Sequence, residues 1–444
     1  MTDQQAPGSA QDAKLAIANL DRETWGRILA TLARRFGDLD LAEDVTQEAY
    51  AQALVTWPRT GVPDSPEAWL KTTAKRKALD IVRREANLAQ KLAHLRIEAD
   101  VAPVPTSLRD PAQSIRDPEI AQLPDDRLEL FFACAHPALN LEDRVALTLR
   151  FVAGLSAAEV GNALLVSVPT MQQRIARAKK RIRTLGIPFE TPKLAELPAR
   201  LGGVLRVLYL LYAEGFARSA GDRHVRDDLT AEAVRLVRIL HSLAPDAAEV
   251  TGLLALCLLT EARRPAREDA SGQPVPLVEQ DRGRWDRELI TEGLRLAERA
   301  AGSPEASGFA IQAAIAAVHA EGQSFESTDW AQIAVLYRLL KEREPGPIVS
   351  LGRAVALGRY LGLEEGLRRL DALAGDPVLA RLRAFHVARG ITLDELGRRE
   401  QAAEAYQFAL ECPGNEAEDA LIASTLAGLD LGPVADPGVE ETTC

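Results

Sequence analysis

The sequence predicts an all-α protein of several domains, and three observations lead there. Apolar residues fill 47% of the 444 positions while aromatics reach only 5%. Ala and Leu are abundant and β-branched runs are few. Apolar residues also recur at helical spacing through most of the chain. A chain of 444 residues exceeds one typical domain, so about two to four are expected.

Composition narrows the class further. The longest apolar stretches, such as Val204 to Tyr212 and Gly252 to Leu259, fall short of the ~20 residues that span a bilayer. The start, MTDQQAPGSAQDAK, lacks the basic end and apolar centre of a signal peptide. The four cysteines, Cys134, Cys257, Cys412 and Cys444, are scattered. A cytoplasmic, disulfide-free protein with no membrane contact is the expectation. Net charge is −11, yet residues 1–190 hold 25 Lys plus Arg against 25 Asp plus Glu, and residues 191–444 hold 28 against 39. The negative excess therefore belongs to the C-terminal part, and cations of the first part gather in two short stretches where a polyanion can bind.

Taken in order, residues 1–14 predict a disordered tail. Helical spacing runs from Asp21 to Ala93, broken by the Pro/Gly loop 57–66, after which Ser65-Pro66-Glu67 marks a new helix start. Together 15–96 make the first domain. Residues 97–122, with four prolines and five acidic residues, predict an extended linker. Residues 123–187 are helical again and stop at Gly186-Ile187-Pro188. Helical blocks at 195–300 and 301–430 follow, the former interrupted by an exposed loop at 263–284. In the latter, Ala354, Leu357, Gly366, Leu370 and Leu373 recur 36 residues later as Gly390, Leu393, Ala402, Tyr406 and Ala409. The second copy resembles a tetratricopeptide repeat, with turns at Gly397 and Pro413-Gly414-Asn415, so a short helical solenoid is expected.

Three segments carry candidate function. From Trp69 to Arg84, Leu70, Ala74, Leu79 and Val82 can face a core while Lys71, Lys75, Arg76, Arg83 and Arg84 face solvent. Taken alone this pattern is most often a solvated amphipathic helix, but Trp69 can stack on an unpaired base while the cations hold phosphates. Ser156 and Glu159 form a capping box opening a helix at Ala157-Leu165, and a turn at Val166-Ser167 leads to a second helix, Val168 to Arg183. That is helix-turn-helix spacing. Thr170, Gln172, Gln173, Arg174 and Arg177 suit base edges, and the later cations Lys179, Lys180, Arg181 and Arg183 suit phosphates, with a plain helical hairpin as the bland alternative. The third segment, Asp40 to Tyr50, sets Leu41, Val45 and Ala49 on one face and Glu43, Asp44, Gln47 and Glu48 on an acidic one, which taken alone is most often an ordinary exposed face.

The order of these segments resembles the extracytoplasmic-function (ECF) sigma factors. Their region 2 carries D-x-A-E-D-x-x-Q-E-x-[FY] and W-L-x-x-x-A-[RK]-x-x-x-x-D-x-x-R-[RK], both intact here from Asp40 and from Trp69. Their region 4 pattern is matched by Gly154 to Val160 and Thr170 to Lys179, and the resemblance covers about residues 15–187. It implies that Asp40, Glu43, Asp44, Gln47 and Glu48 contact the β′ clamp of the RNA polymerase core, which also offers its β subunit. It implies that the loop 57–66 with Trp69, Lys71, Lys75, Arg76, Arg83 and Arg84 holds the minus-10 element as single strand. Thr170, Gln172, Gln173, Arg174 and Arg177 would read the minus-35 element as duplex, and the acidic linker would thread toward the polymerase active site. Such a protein is a specificity subunit of RNA polymerase acting on promoter DNA, with no chemistry of its own.

About 250 residues lie beyond that resemblance. A subgroup of the family carries a helical, tetratricopeptide-like extension, which Arg263-Arg264-Pro265-Ala266-Arg267, Asp281 to Asp286 and Thr328 to Ile333 resemble. A regulatory protein or ligand acting at this extension is the expectation it brings. Arg282, Arg284, Trp285 and Asp286 can line a ligand or peptide groove, although a structural salt-bridge cluster is favoured. The six histidines and four cysteines show no paired ligand spacing, and no P-loop, dinucleotide fingerprint or nucleophile elbow appears, so neither metal nor cofactor is expected. The rival reading is a helix-turn-helix regulator or a tetratricopeptide scaffold that never joins polymerase.

Overall fold

The computed structural model describes nearly all of residues 10–97, 138–187, 197–217 and 224–429, together with Phe131, Cys134 and His136. Every regular element among the described residues is helical, apart from one isolated bridge between Glu268 and Pro274. Two compact units divide the chain, residues 1–161 with 167–207 and residues 162–166 with 208–444.

The first unit opens with α1 (Ala10–Ala18), α2 (Arg22–Phe36), α3 (Leu39–Thr60) and α4 (Pro66–Ile97). The expected tail of residues 1–14 is thus helical from Ala10, where the Ala-rich AQDAKLAIA packs on α3; residues 1–9 lie outside the described residues. Asp38 caps α3, its Oδ1 accepting the N–H groups of Asp40 at 2.8 Å and Leu41 at 3.1 Å. Such a cap is worth ~1 kcal/mol. Leu29, Leu32 and Ala33 of α2, Ala42, Val45, Ala49, Ala53 and Trp57 of α3 and Leu70, Ala74 and Ala78 of α4 form the core.

Two sequence expectations need correction here. The loop expected at 57–66 starts only at Gly61, because α3 continues through Pro58 to Thr60. Proline in the final turn removes only one bond, to the carbonyl of Leu54, on a side that water reaches since Leu54 is 47% exposed. Trp57, 1% exposed, anchors that turn, and Gly61, at φ 81, ends it by donating its N–H to Trp57 O. The buried seams also shift. Ala42 rather than Leu41, and Ala78 rather than Leu79 and Val82, line the contact, with the larger residues half-buried. Small side chains four residues apart let α3 and α4 approach closely. Helix α4 reaches Ile97, the first residue of the expected linker; the remainder of 97–122 lies outside the described residues.

Further along come α5 (Leu141–Phe151), α6 (Ala157–Ala163) and α7 (Val168–Leu185). The capping box forms as expected: Ser156 N–H donates to Glu159 Oε2 at 2.7 Å and Glu159 N–H to Ser156 Oγ at 3.2 Å. Met171, Ile175, Ala178 and Ile182 bury one stripe of α7, which packs on α5. Gly186 stops the helix at φ 60, and Ile187 N–H reaches back to Ile182 O.

Helix α8 (Leu197–Phe216) leads into the second unit, followed by α9 (Asp227–Leu243), α10 (Ala248–Glu261), α11 (Arg287–Ala301), α12 (Gly308–Glu321) and α13 (Trp330–Arg343). Next are α14 (Pro347–Leu361), α15 (Leu363–Asp371), α16 (Arg383–Glu395), α17 (Arg399–Glu411) and α18 (Glu416–Gly428). Helix α10 is apolar almost all round, since α11 and α12 both pack on it. Its Gly252 meets α12 so closely that a Cβ would lie 2.6 Å from Ala310 N, leaving no room for any other residue. Gly358 of α14 meets Gly366 of α15 in the same way, and Gly390 of α16 lies against the Tyr406 ring of α17.

Residues 263–284, expected as an exposed loop, instead fold into three short 3-10 turns with Ala266, Arg267, Gln280 and Arg282 buried. The cause is hydrogen bonding to main chain. Arg267 donates to Phe216 O, and Arg282 Nη1 donates to His319 O and Gly322 O, each at 2.7 Å, satisfying carbonyls at the end of α12.

Candidate nucleic-acid interface

Helix α7 follows Ser167 and Pro169, and its buried stripe leaves the other faces to solvent. Thr170, Gln172, Gln173, Arg177, Lys180 and Arg181 are exposed there, and no acid occurs from Val168 to Leu185. Thr170 Oγ1 lies 2.8 Å from Ser167 Oγ. Arg174 differs from its neighbours: it is half-buried and pairs with Glu142 of α5 at 2.8 Å. The N-terminal half of α7 thus presents side chains of a length and polarity suited to base edges, with a row of cations behind them.

Helix α4 exposes Lys71, Lys75, Arg76, Arg83 and Arg84, as expected. Trp69 is half-buried and meets Trp57 edge to face, ring centroids 5.5 Å apart, so only part of its ring is left for a base. Sequence reasoning missed this pair, although the two tryptophans flank the turn joining α3 to α4. Lys77 bonds Glu48 at 3.0 Å across that same contact.

The acidic segment divides. Asp44, Gln47 and Glu48 are exposed, whereas Glu43 and Asp40 turn toward other parts of the first unit. Glu43 pairs with Arg150 of α5, and Asp40 pairs with Lys179 and Arg183 of α7. Arg183 also lies 3.7 Å from Asp38. Lys179 stands over the Phe151 ring, 5.4 Å from its centroid. The structure therefore brings the acidic helix to the C-terminal half of α7, a contact between residues more than a hundred positions apart that no local pattern announces.

Among the described residues, no group of His, Cys, Asp and Glu is arranged to hold a metal ion. Burial pushes the Cys134 thiol up to about 12, and that of Cys257 up as well, with Glu261 adding to it, so both remain protonated thiols. No described helix is long and apolar enough to cross a membrane.

Comparison with known proteins agrees with this layout. The Sigma-70 region 2 family matches residues 22–87 and the Sigma-70, region 4 family matches residues 132–182. A family of unknown function (DUF6596) matches residues 200–301. An uncharacterized protein of Rhizobium meliloti is 39% identical over 419 residues, covering 94% of this chain and 96% of its own. The ECF RNA polymerase sigma factor SigK of a Mycobacterium species is 30% identical over 164 residues, 36% of this chain and 77% of that protein. SigW of Bacillus subtilis, also an ECF RNA polymerase sigma factor, is 28% identical over 178 residues, 39% of this chain and 88% of its own. No solved structure matches.

Proposed function

The chain belongs to the ECF RNA polymerase sigma factors and directs RNA polymerase to promoters, and on that premise we propose how its residues divide the work. The exposed row Thr170, Gln172, Gln173 and Arg177 reads the minus-35 element in the major groove, joined by Arg174 once it leaves Glu142, while Lys180 and Arg181 hold phosphates. The observation that carries this is the acid-free exposed face of α7 beginning at the helix N-terminus, where the backbone dipole also favours phosphate.

In α4, Lys71, Lys75, Arg76, Arg83 and Arg84 track the backbone of the single-stranded minus-10 element, and the free part of Trp69 stacks on a base. Asp44 and Gln47 contact the polymerase β′ clamp first, because they are exposed, and Glu48, exposed as well, follows by exchanging Lys77. Asp40 and Glu43 join them only after exchanging Lys179, Arg183 and Arg150 for polymerase cations. The helices beyond residue 300 act as tetratricopeptide-like repeats, and the extension regulates polymerase engagement through a protein or ligand bound there. Polymerase does the chemistry.

In vitro transcription with core polymerase tests the assignment. The full chain, or the chain with its regulator satisfied, is expected to confer initiation at its own promoter. Failure of both would return the protein to the class of helix-turn-helix regulators that act without joining polymerase.

A further inference from the structure

In the second unit, two guanidinium groups flank one buried indole. Trp285, 3% exposed, has the Arg282 Cζ at 4.8 Å and the Arg263 Cζ at 5.6 Å from its ring centroid. The two arginines differ in how they are satisfied. Arg282 gives Nη1 to His319 O and Gly322 O and Nη2 to Thr328 Oγ1 at 3.1 Å, so it is tied into the fold. Among the described residues Arg263 reaches only Gln280 Oε1, from Nε and Nη2, both at a long 3.4 Å. Among the described residues no carboxylate lies at ion-pair distance from either arginine, although the Glu326 charge acts on Arg282 from farther off. Glu261, two residues from Arg263, is engaged by Arg264 at 2.8 Å and by the Tyr212 hydroxyl at 3.3 Å.

Beside these cations are two buried nitrogens without a hydrogen-bond partner, Trp285 Nε1 and His319 Nδ1. The His319 ring is held edge-on to Trp330, centroids 5.2 Å apart. Burial lowers its pKa to about 4, with Arg263 and Arg282 adding to the effect, so the ring is neutral at neutral pH and Nδ1 is free to donate in one tautomer. Burial likewise brings Arg263 down to about 10, which leaves it charged.

A charge in such surroundings without a counter-ion is costly, and each unmade hydrogen bond of a buried donor costs ~1–3 kcal/mol. Natural interiors satisfy most such groups. All of these groups are donors, and an oxyanion is the kind of small molecule that accepts from guanidinium, indole N–H and imidazole N–H alike. The burial of Trp285 limits the guest to something small.

We propose that Arg263, Trp285 Nε1 and His319 form a binding site for a small oxyanion, bearing a carboxylate or phosphate group, with Arg282 as the positioning residue that fixes Trp285 and the end of α12. The site lies wholly in the second unit and is independent of the promoter-binding assignment, so either can fail alone.

The test is thermal unfolding and calorimetric titration of the full-length protein with sodium phosphate in one arm and sodium succinate in the other, ionic strength held constant with sodium chloride. A saturable rise in melting temperature with matching heat is expected in at least one arm, and the arm that responds names the chemistry. Arg263→Gln is expected to weaken that binding ~10-fold or more, and Trp285→Phe, which keeps the ring and removes only the N–H, ~3–10-fold. Circular dichroism verifies that each variant is folded. No saturable response in either arm overturns the proposal. So does an unchanged affinity in a folded Trp285→Phe, or in a folded Arg263→Gln.

Discussion

Arg150 and Glu43 stand 107 residues apart in sequence and form an ion pair whose side chains are only 26% and 12% exposed. With Lys179 and Arg183 on Asp40, it ties the acidic helix to the helix-turn-helix part of the same unit. Arg150→Gln combined with Lys179→Gln is expected to tighten binding to core polymerase, because Glu43 no longer has to be released and Asp40 has only Arg183 left to exchange. Pairs of this partly exposed kind are worth ~0.2–1 kcal/mol each, so removing two corresponds to a gain of roughly 2–30-fold. Fluorescence anisotropy with labelled core checks it, and equal or weaker binding by the variant would remove the competition from the account.

Gln172→Ala is expected to relax base preference at one position of the minus-35 element, costing ~1–3 kcal/mol on the preferred sequence only. Lys180→Ala should instead weaken all sequences alike and reduce the slope of log affinity against log salt by ~1. Binding to a promoter library at two salt concentrations separates the two effects.

Trp57 is buried on α3 and is the surface on which Trp69 rests. Trp57→Ala is expected to destabilise the first unit by ~3–5 kcal/mol, since it both opens a cavity and removes the edge-to-face partner. Denaturant unfolding followed by tryptophan fluorescence would show it. A loss under ~1 kcal/mol would mean the α3 end can repack.

His319 binds its proton less tightly in the folded state, at about 4, than in the unfolded chain. Between its ordinary value of ~6.5 and about 4 the unfolded state therefore holds more protons, and stability falls as pH falls through that window. The expected loss is on the order of 1–3 kcal/mol. His319→Gln should flatten this part of the stability curve. Melting temperatures from pH 7 to pH 4 decide, and an unchanged slope in the variant would assign the effect to other groups.

If the extension regulates the sigma part, ending the chain near residue 190 should change promoter output in cells. A reporter driven by the cognate promoter, compared at equal protein levels, measures this; the same output from both forms would make the extension a passenger.

Much of the protein was legible in one dimension because the interactions concerned are local. The Ser156–Glu159 box, the Gly186 stop and the acid-free cationic face of α7 all depend on residues within a turn or two of each other. The order of acidic helix, basic helix and helix-turn-helix needed nothing more. Tertiary structure decided what depends on chain closure. It carried α3 through Pro58, because the buried Trp57 outweighs one lost backbone bond, and it drew Arg267 and Arg282 inside to cap main-chain carbonyls. It turned Asp40 and Glu43 inward while leaving Asp44 and Glu48 outside. All-helical composition and segment order thus belong to the sequence by itself. Which charges are spent within the fold and which remain for a partner was settled only when distant segments met, since an ion pair depends on distance in space and not along the chain.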